Sequence, residues 1–240
     1  SQLNNQMKMK RDISKICSAL VFGLAAISCS LDETADIKLV ELGTPLENNI
    51  CFVEAAGGEY DVEVLSNGAY HVEFTENDWL TLSALQGNGD GRIKLTATPN
   101  KEFKRMTSFV LCSDVDTRRD TVYVKQKGDI EASLSMDNTS LVLPGAGGQS
   151  TAAIRTNIPF SYLESSVAYN EFDNVDWLDL SKLSISGEGE SQTISISSAP
   201  NTDPVSIRSA SLYLSFVDGW GDKVALEILL MQKNSNEGLG

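Results

Sequence analysis

One block recurs about 100 residues apart: Asp78-Trp79-Leu80-Thr81-Leu82-Ser83 and Asp176-Trp177-Leu178-Asp179-Leu180-Ser181. The surroundings recur with it. Asn67 and Asn157 precede the blocks, each followed three places on by an aromatic, Tyr70 or Phe160. A Gly-rich turn follows each block (GNGDG from Gly87, GEG from Gly187), then Pro99-Asn100 or Pro200-Asn201, then Arg105 or Arg208. Each copy closes on an alternating stretch that ends in Gln126 or Gln232. So many matched landmarks mark two copies of one structural unit. Between them the apolar period is two: Tyr60, Val62 and Val64; Tyr70, Val72 and Phe74; Ile93, Leu95 and Ala97; Ile194 and Ile196; Leu212, Leu214 and Phe216. Strict alternation predicts half-buried strands, and many short strands broken by turns predict an all-β chain of two tandem β-sandwiches.

The start of the chain has a different character. Lys8, Lys10, Arg11 and Lys15 precede the uncharged run ICSALVFGLAAIS at residues 16–28. A basic region before an apolar run of this length reads as a secretory signal, too short for a membrane span. The run ends in Ala26-Ile27-Ser28-Cys29, which resembles a bacterial lipobox and implies cleavage before Cys29 and lipid on its thiol. Acidic residues follow, and Asp32-Glu33 resembles the surface-export signal of Bacteroidetes-type outer-membrane lipoproteins. The predicted organisation is upstream residues and signal peptide over 1–28, lipidated Cys and tether over 29–33, sandwiches over 34–128 and 129–234, and a flexible tail over 235–240.

Charge narrows the partners. Lys and Arg total 19 against 33 Asp and Glu, a net charge of −14, which opposes nucleic-acid binding. The membrane is reached only through the lipid. A single histidine, His71, on the polar side of an alternating segment, reads as a solvated side chain and argues against zinc sites and His-dependent catalysis. No carboxylate pair stands in a recognisable catalytic frame, so no enzyme activity, cofactor or metal is expected. Asn88, Asp90 and Asp218 lie in turn-like segments without the spacing of a calcium loop.

The landmarks resemble the BACON domain family: the Gly57-Gly58 turn, the Asn67 to Tyr70 stretch, Asp78-Trp79-Leu80, the GNGDG turn, the Asn100 to Arg105 stretch and the closing strand to Gln126. The second copy is similar more loosely, with extra residues between Asn157 and Trp177. The resemblance implies an immunoglobulin-like sandwich on secreted or surface proteins, with carbohydrate binding suggested by genomic company, and a spacer role in some members. It also implies that Phe109 and Leu111 point inward and Cys112 outward. That favours two unpaired thiols, Cys51 and Cys112, over a disulfide, which an oxidising exterior would permit.

Trp79 and Trp177 are expected as interior anchors. Asp78 and Asp176 are expected to cap the turns before their strands. Trp220, flanked by glycines in Asp218-Gly219-Trp220-Gly221-Asp222, is expected at a hairpin tip. There it either offers a face to a ligand or folds back over the sandwich end. The segment 161–175, with Tyr162, Tyr169 and Phe172, reads either as a ligand-offering loop or as an extra hairpin. Phe103 is a further binding candidate. The functional expectation is a non-catalytic glycan-binding module on an outer-membrane, surface-exposed lipoprotein. The alternative is a spacer or a protein-binding subunit of a surface complex.

Overall fold

Alternation puts every second side chain of each strand on one face, and those apolar faces meet twice along the chain. The computed structural model describes residues 40–170 and 176–237. The leader with Cys29, Phe172 and residues 238–240 lie outside the described residues.

In the first sandwich one sheet has the order β1 (Leu42–Gly43), β3 (Gly58–Ser66), β7 (Gly91–Ala97), β5 (Leu80–Leu82). The facing sheet has the order β2 (Ile50–Val53), β9 (Arg119–Gln126), β8 (Arg105–Ser113), β4 (Ala69–Phe74), β6 (Gln86–Asn88). The opening strand changes sheets: β1 runs antiparallel to β3, and β2 then runs parallel to the closing strand β9. Val53, Val62, Val64, Leu95, Leu111, Val122 and Val124 are fully buried between the sheets. β-branched and aliphatic side chains suit this pleated, two-sided core.

The second sandwich repeats the plan. One sheet is β10 (Leu134–Ser135), β12 (Gly148–Thr156), β15 (Gln192–Ser198), β14 (Ser184–Ser186). The other is β11 (Ser140–Leu143), β17 (Lys223–Gln232), β16 (Arg208–Val217), β13 (Glu164–Tyr169). Again the opening strand switches, with β11 parallel to β17. Each sandwich thus packs a four-stranded sheet that starts the opening strand against a sheet built on the antiparallel closing pair, β8–β9 or β16–β17, the arrangement of immunoglobulin-like domains. Over its described part, up to residue 170, the stretch expected as a loop or extra hairpin is neither. Phe160–Tyr162 is one turn of 3-10 helix, and β13 is an integral strand paired along its length with β16.

The matched landmarks converge at one end of each sandwich. Trp79 and Trp177 are 8% and 1% exposed, and an arginine lies over each ring, Arg105 at 4.6 Å and Arg208 at 4.8 Å from the centroid. Arg105 Nε donates to Gln126 Oε1 at 2.8 Å, and Arg208 Nε to Gln232 Oε1 at 2.6 Å. The glutamine amides then reach carbonyls on two other segments. Gln126 Nε2 donates to Glu54 and Thr98, and Gln232 Nε2 to Pro144 and Ala199. Gly57 and Gly147, with φ of 72° and 71°, turn the chain where a Cβ would lie 2.3 Å from the Ala97 carbonyl and 2.6 Å from that of Ser198. The landmark asparagines Asn67 and Asn157 act at the opposite sheet's margin, their Oδ1 atoms accepting from the backbone of Glu41 and Ser133.

One expectation about local turns needs correcting. The first block is capped by Asn77, whose Oδ1 accepts from the amides of Trp79 and Leu80, and not by Asp78.

Gln232 is fully buried, and replacing its amide removes a donor from the Pro144 and Ala199 carbonyls and the acceptor of Arg208 Nε. An unsatisfied buried polar group costs about 1–3 kcal/mol. Gln232→Leu should therefore lower unfolding free energy by about 1–3 kcal/mol in denaturant titration. A loss below about 0.5 kcal/mol would mean that water takes the amide's place.

Candidate functional site

The hairpin between β16 and β17 carries Trp220 across to the first sandwich. Asp218 Oδ1 accepts from the Trp220 and Asp222 amides, which closes the turn. Gly219 donates its N–H to the Lys104 carbonyl at 3.0 Å, and a Cβ there would stand 2.6 Å from that oxygen. Trp220 Nε1 donates to the Arg105 carbonyl at 3.2 Å, and the ring meets Phe52 edge-on at 5.7 Å. The ammonium groups of Lys104 and Lys125 lie 5.3 and 5.6 Å from its centroid. Lys104 Nζ also contacts Asp222 at 2.8 Å and Asp218 at 3.7 Å. That hydrogen bond holds the Asp222 carboxyl below its ordinary value and raises the lysine above its own.

The predicted ligand aromatics therefore separate. Trp220 is at the expected hairpin tip, and of the two expectations for it the folded-back one describes its placement, onto the neighbouring sandwich. Phe103 is not a surface aromatic: it is 8% exposed, lies in the second sandwich's core cluster and packs at 4.8 Å on Phe216. Tyr169 is half-buried against Trp177 at 5.8 Å, with its hydroxyl accepting from the Leu178 amide. Phe172 lies outside the described residues. Tyr162, 55% exposed and stacked on Phe216, keeps one face open to solvent.

A ligand-sized depression lies elsewhere. An open hollow of about 780 Å³ borders Trp177 and is lined by Gln149, Asp179, Ser181, Lys182 and Ser197. Sequence reasoning missed it because its polar residues come from three separated segments. Asp179 is held in place by Ser181, whose amide and hydroxyl donate to Oδ1, and by Lys182 Nζ at 2.8 Å. The lysine keeps that carboxyl below its ordinary value, with Ser181 adding to the effect. The hollow thus presents a fixed carboxylate, an ammonium, an amide and hydroxyls. On the first sandwich Asp90 is occupied by the Ser66 amide. Cys51 belongs to the first core and Cys112 does not, and both are free thiols.

Architecture and residue placement define a tandem of immunoglobulin-like sandwiches. Residues 71–127, within the first sandwich, match the BACON family, described as "Putative binding domain, N-terminal". No curated protein matches the sequence. Among solved structures the chain is similar to a Bacteroides ovatus GH5 xyloglucanase in complex with an XXXG heptasaccharide, at 17% identity and a TM-score of 0.34. The match covers 45% of this chain and 22% of that one, so the chain spans about a fifth of the enzyme's length. It is also similar to a chimeric titin Z1Z2-Z1Z2 tandem, at 15% identity and a TM-score of 0.32, over 80% of this chain and 100% of that one.

The junction makes a clear prediction. Trp220→Ala removes a ring contact and a hydrogen bond, a loss on the order of 2 kcal/mol. Gly219→Ala forces the hairpin away from Lys104. Both variants should keep folded sandwiches by circular dichroism while proteolysis within residues 127–133 accelerates several-fold. Unchanged cleavage in both would show that the hairpin does not hold the two sandwiches together.

Proposed function

We propose that the chain is a non-catalytic carbohydrate-binding module of a cell-surface lipoprotein, and that the hollow beside Trp177 is where it takes glycan. The observation that carries this reading is the lining of that hollow. A carboxylate, an amide, hydroxyls and a lysine converge on an open depression. Sugars present many hydroxyls, and such a set can pair with them as donors and acceptors. Open access suits an extended polymer chain better than a small enclosed ligand. The match of residues 71–127 to a family described as binding agrees with it. Tyr162 extends the same sandwich with an exposed ring.

Single contacts of this kind bind weakly, because association costs at least about 4 kcal/mol. Many lipid-anchored copies on one surface would raise the effective affinity. Lipidation at Cys29 supplies that arrangement, in an outer-membrane location facing outward.

A second reading, a rigid spacer or a subunit of a surface protein complex, is favoured by the Trp220 junction. Such a role needs fixed geometry and no ligand.

Affinity electrophoresis against a polysaccharide panel separates the two readings. Asp179→Ala and Lys182→Ala should each lower retention about tenfold, while Trp220→Ala leaves it within twofold. Folded wild-type protein that no polysaccharide retards would leave the spacer. Independently, Cys29→Ala should move the protein from the membrane fraction to the soluble one; continued membrane association would overturn the lipid anchor.

A further inference from the structure

The outer face of the first sandwich's second sheet gathers a mixed set of donors. β4 and β8 are paired so that His71 stands opposite Cys112, with Glu73 two places along on the same face of β4. One donor atom from each of His71, Glu73 and Cys112 lies within 4.8 Å of the other two. The thiol forms the floor, in a residue only 3% exposed, and the imidazole and carboxylate side chains, 47% and 50% exposed, form an open rim.

Each rim ligand is already oriented by a second residue. His71 Nδ1 lies 2.5 Å from Asp114 Oδ1. A proton on Nδ1 there leaves the Nε2 lone pair free, and Nε2 is 3.8 Å from Glu73 Oε1. A carboxylate that fixes the far nitrogen of a metal-binding histidine is the usual outer support of such ligands. Arg119 holds both oxygens of Glu73, through Nη1 at 3.0 Å to Oε1 and through Nη2 to Oε2. A carboxylate has about four acceptor positions, so one oxygen can serve both the guanidinium and a cation.

We propose that His71 Nε2, Cys112 Sγ and a Glu73 oxygen form a three-ligand zinc(II) site. Nitrogen, sulfur and carboxylate oxygen are the donors zinc takes, and three protein ligands leave a fourth, solvent-facing position for water. Tetrahedral zinc requires its donors to stand about 3.3–3.7 Å apart. The set must therefore close by about 1 Å at its widest, within reach of two half-exposed side chains rotating over a fixed thiol. On binding, the thiol proton leaves to solvent and the thiolate takes the metal.

The test uses the full chain with Cys17 and Cys29 replaced by Ser, so that Cys51 and Cys112 are the remaining thiols. Cobalt(II) is titrated first, followed by zinc(II). One equivalent of cobalt should give a thiolate-to-cobalt charge-transfer band that one equivalent of zinc abolishes. Cys112→Ser should remove the band and Cys51→Ser should leave it. His71→Ala, a change at a half-exposed position that the fold tolerates, should remove tight binding. Asp114→Asn should weaken zinc ten- to a hundredfold. Zinc should raise the thermal midpoint of the parent and leave that of His71→Ala unchanged. Absence of the band in folded parent protein, or zinc affinity unaltered in both Cys112→Ser and His71→Ala, would overturn the site.

Discussion

The stacked Trp–Arg–Gln clamp closes the end of each sandwich, and the rest of the structure depends on it. Where an opening strand leaves one sheet to run parallel to the closing strand of the other, backbone carbonyls are left facing inward with no ladder partner. Burying them unpaired would cost more than the local apolar contacts return. The glutamine amide adds a donor to each of two such carbonyls, and the arginine fixes the glutamine by donating to its oxygen. The indole beneath then offsets the desolvation of the guanidinium through its π face. At Arg105 that burial is felt, since it pulls the guanidinium below its ordinary value against the opposing pull of Asp78. Each member removes a penalty that another would otherwise incur, which is why the four-part set is repeated whole.

The join between the sandwiches grows out of the same clamp. Asn100, 2% exposed, donates to the carbonyls of Phe103 and Lys127, pinning the loop before Arg105 to the chain that leaves the first sandwich. Thus held, the loop pushes the Phe103 ring into the second core and offers the Lys104 and Arg105 carbonyls to the β16–β17 hairpin. In the second sandwich Asn201 makes the equivalent bonds to Ser206 and Lys233. The serine has no ring to deliver. One framework therefore serves as a connector in one copy and as a plain closure in the other, decided by a single side chain.

That division explains what could be read from the sequence. Alternation placed the strands because a pleat puts every second residue on the core face, and the duplication placed the two indoles inside. Contacts between the copies have no period to read. Phe103 looks like a polar-loop aromatic until its neighbour is present, and Trp220 looks like a tip open to solvent until Lys104 and Arg105 lie beneath it. Asn77 outranked Asp78 as a cap because its side chain, one place earlier, faces the amides of Trp79 and Leu80. The residues just after Asn157 were misread because a 3-10 turn at Phe160–Tyr162 precedes the next strand, and a delayed strand resembles an inserted loop. The donors around Cys112 and the hollow by Trp177 draw on segments that only the register brings together.

A fixed join changes what recognition at one end costs. If the sandwiches moved freely, holding a long glycan against both would demand that their relative orientation be frozen on binding, and that loss would be subtracted from the contacts made. The hairpin has already removed the freedom: Gly219 leaves no room between its backbone and Lys104, and Trp220 is held by a hydrogen bond and two cations. The hollow by Trp177 is therefore carried at a constant bearing from the first sandwich. Under the proposed glycan reading, binding and spacing are not competing uses of this architecture, because a rigid stem would let weak polar contacts on neighbouring copies act on one polymer together.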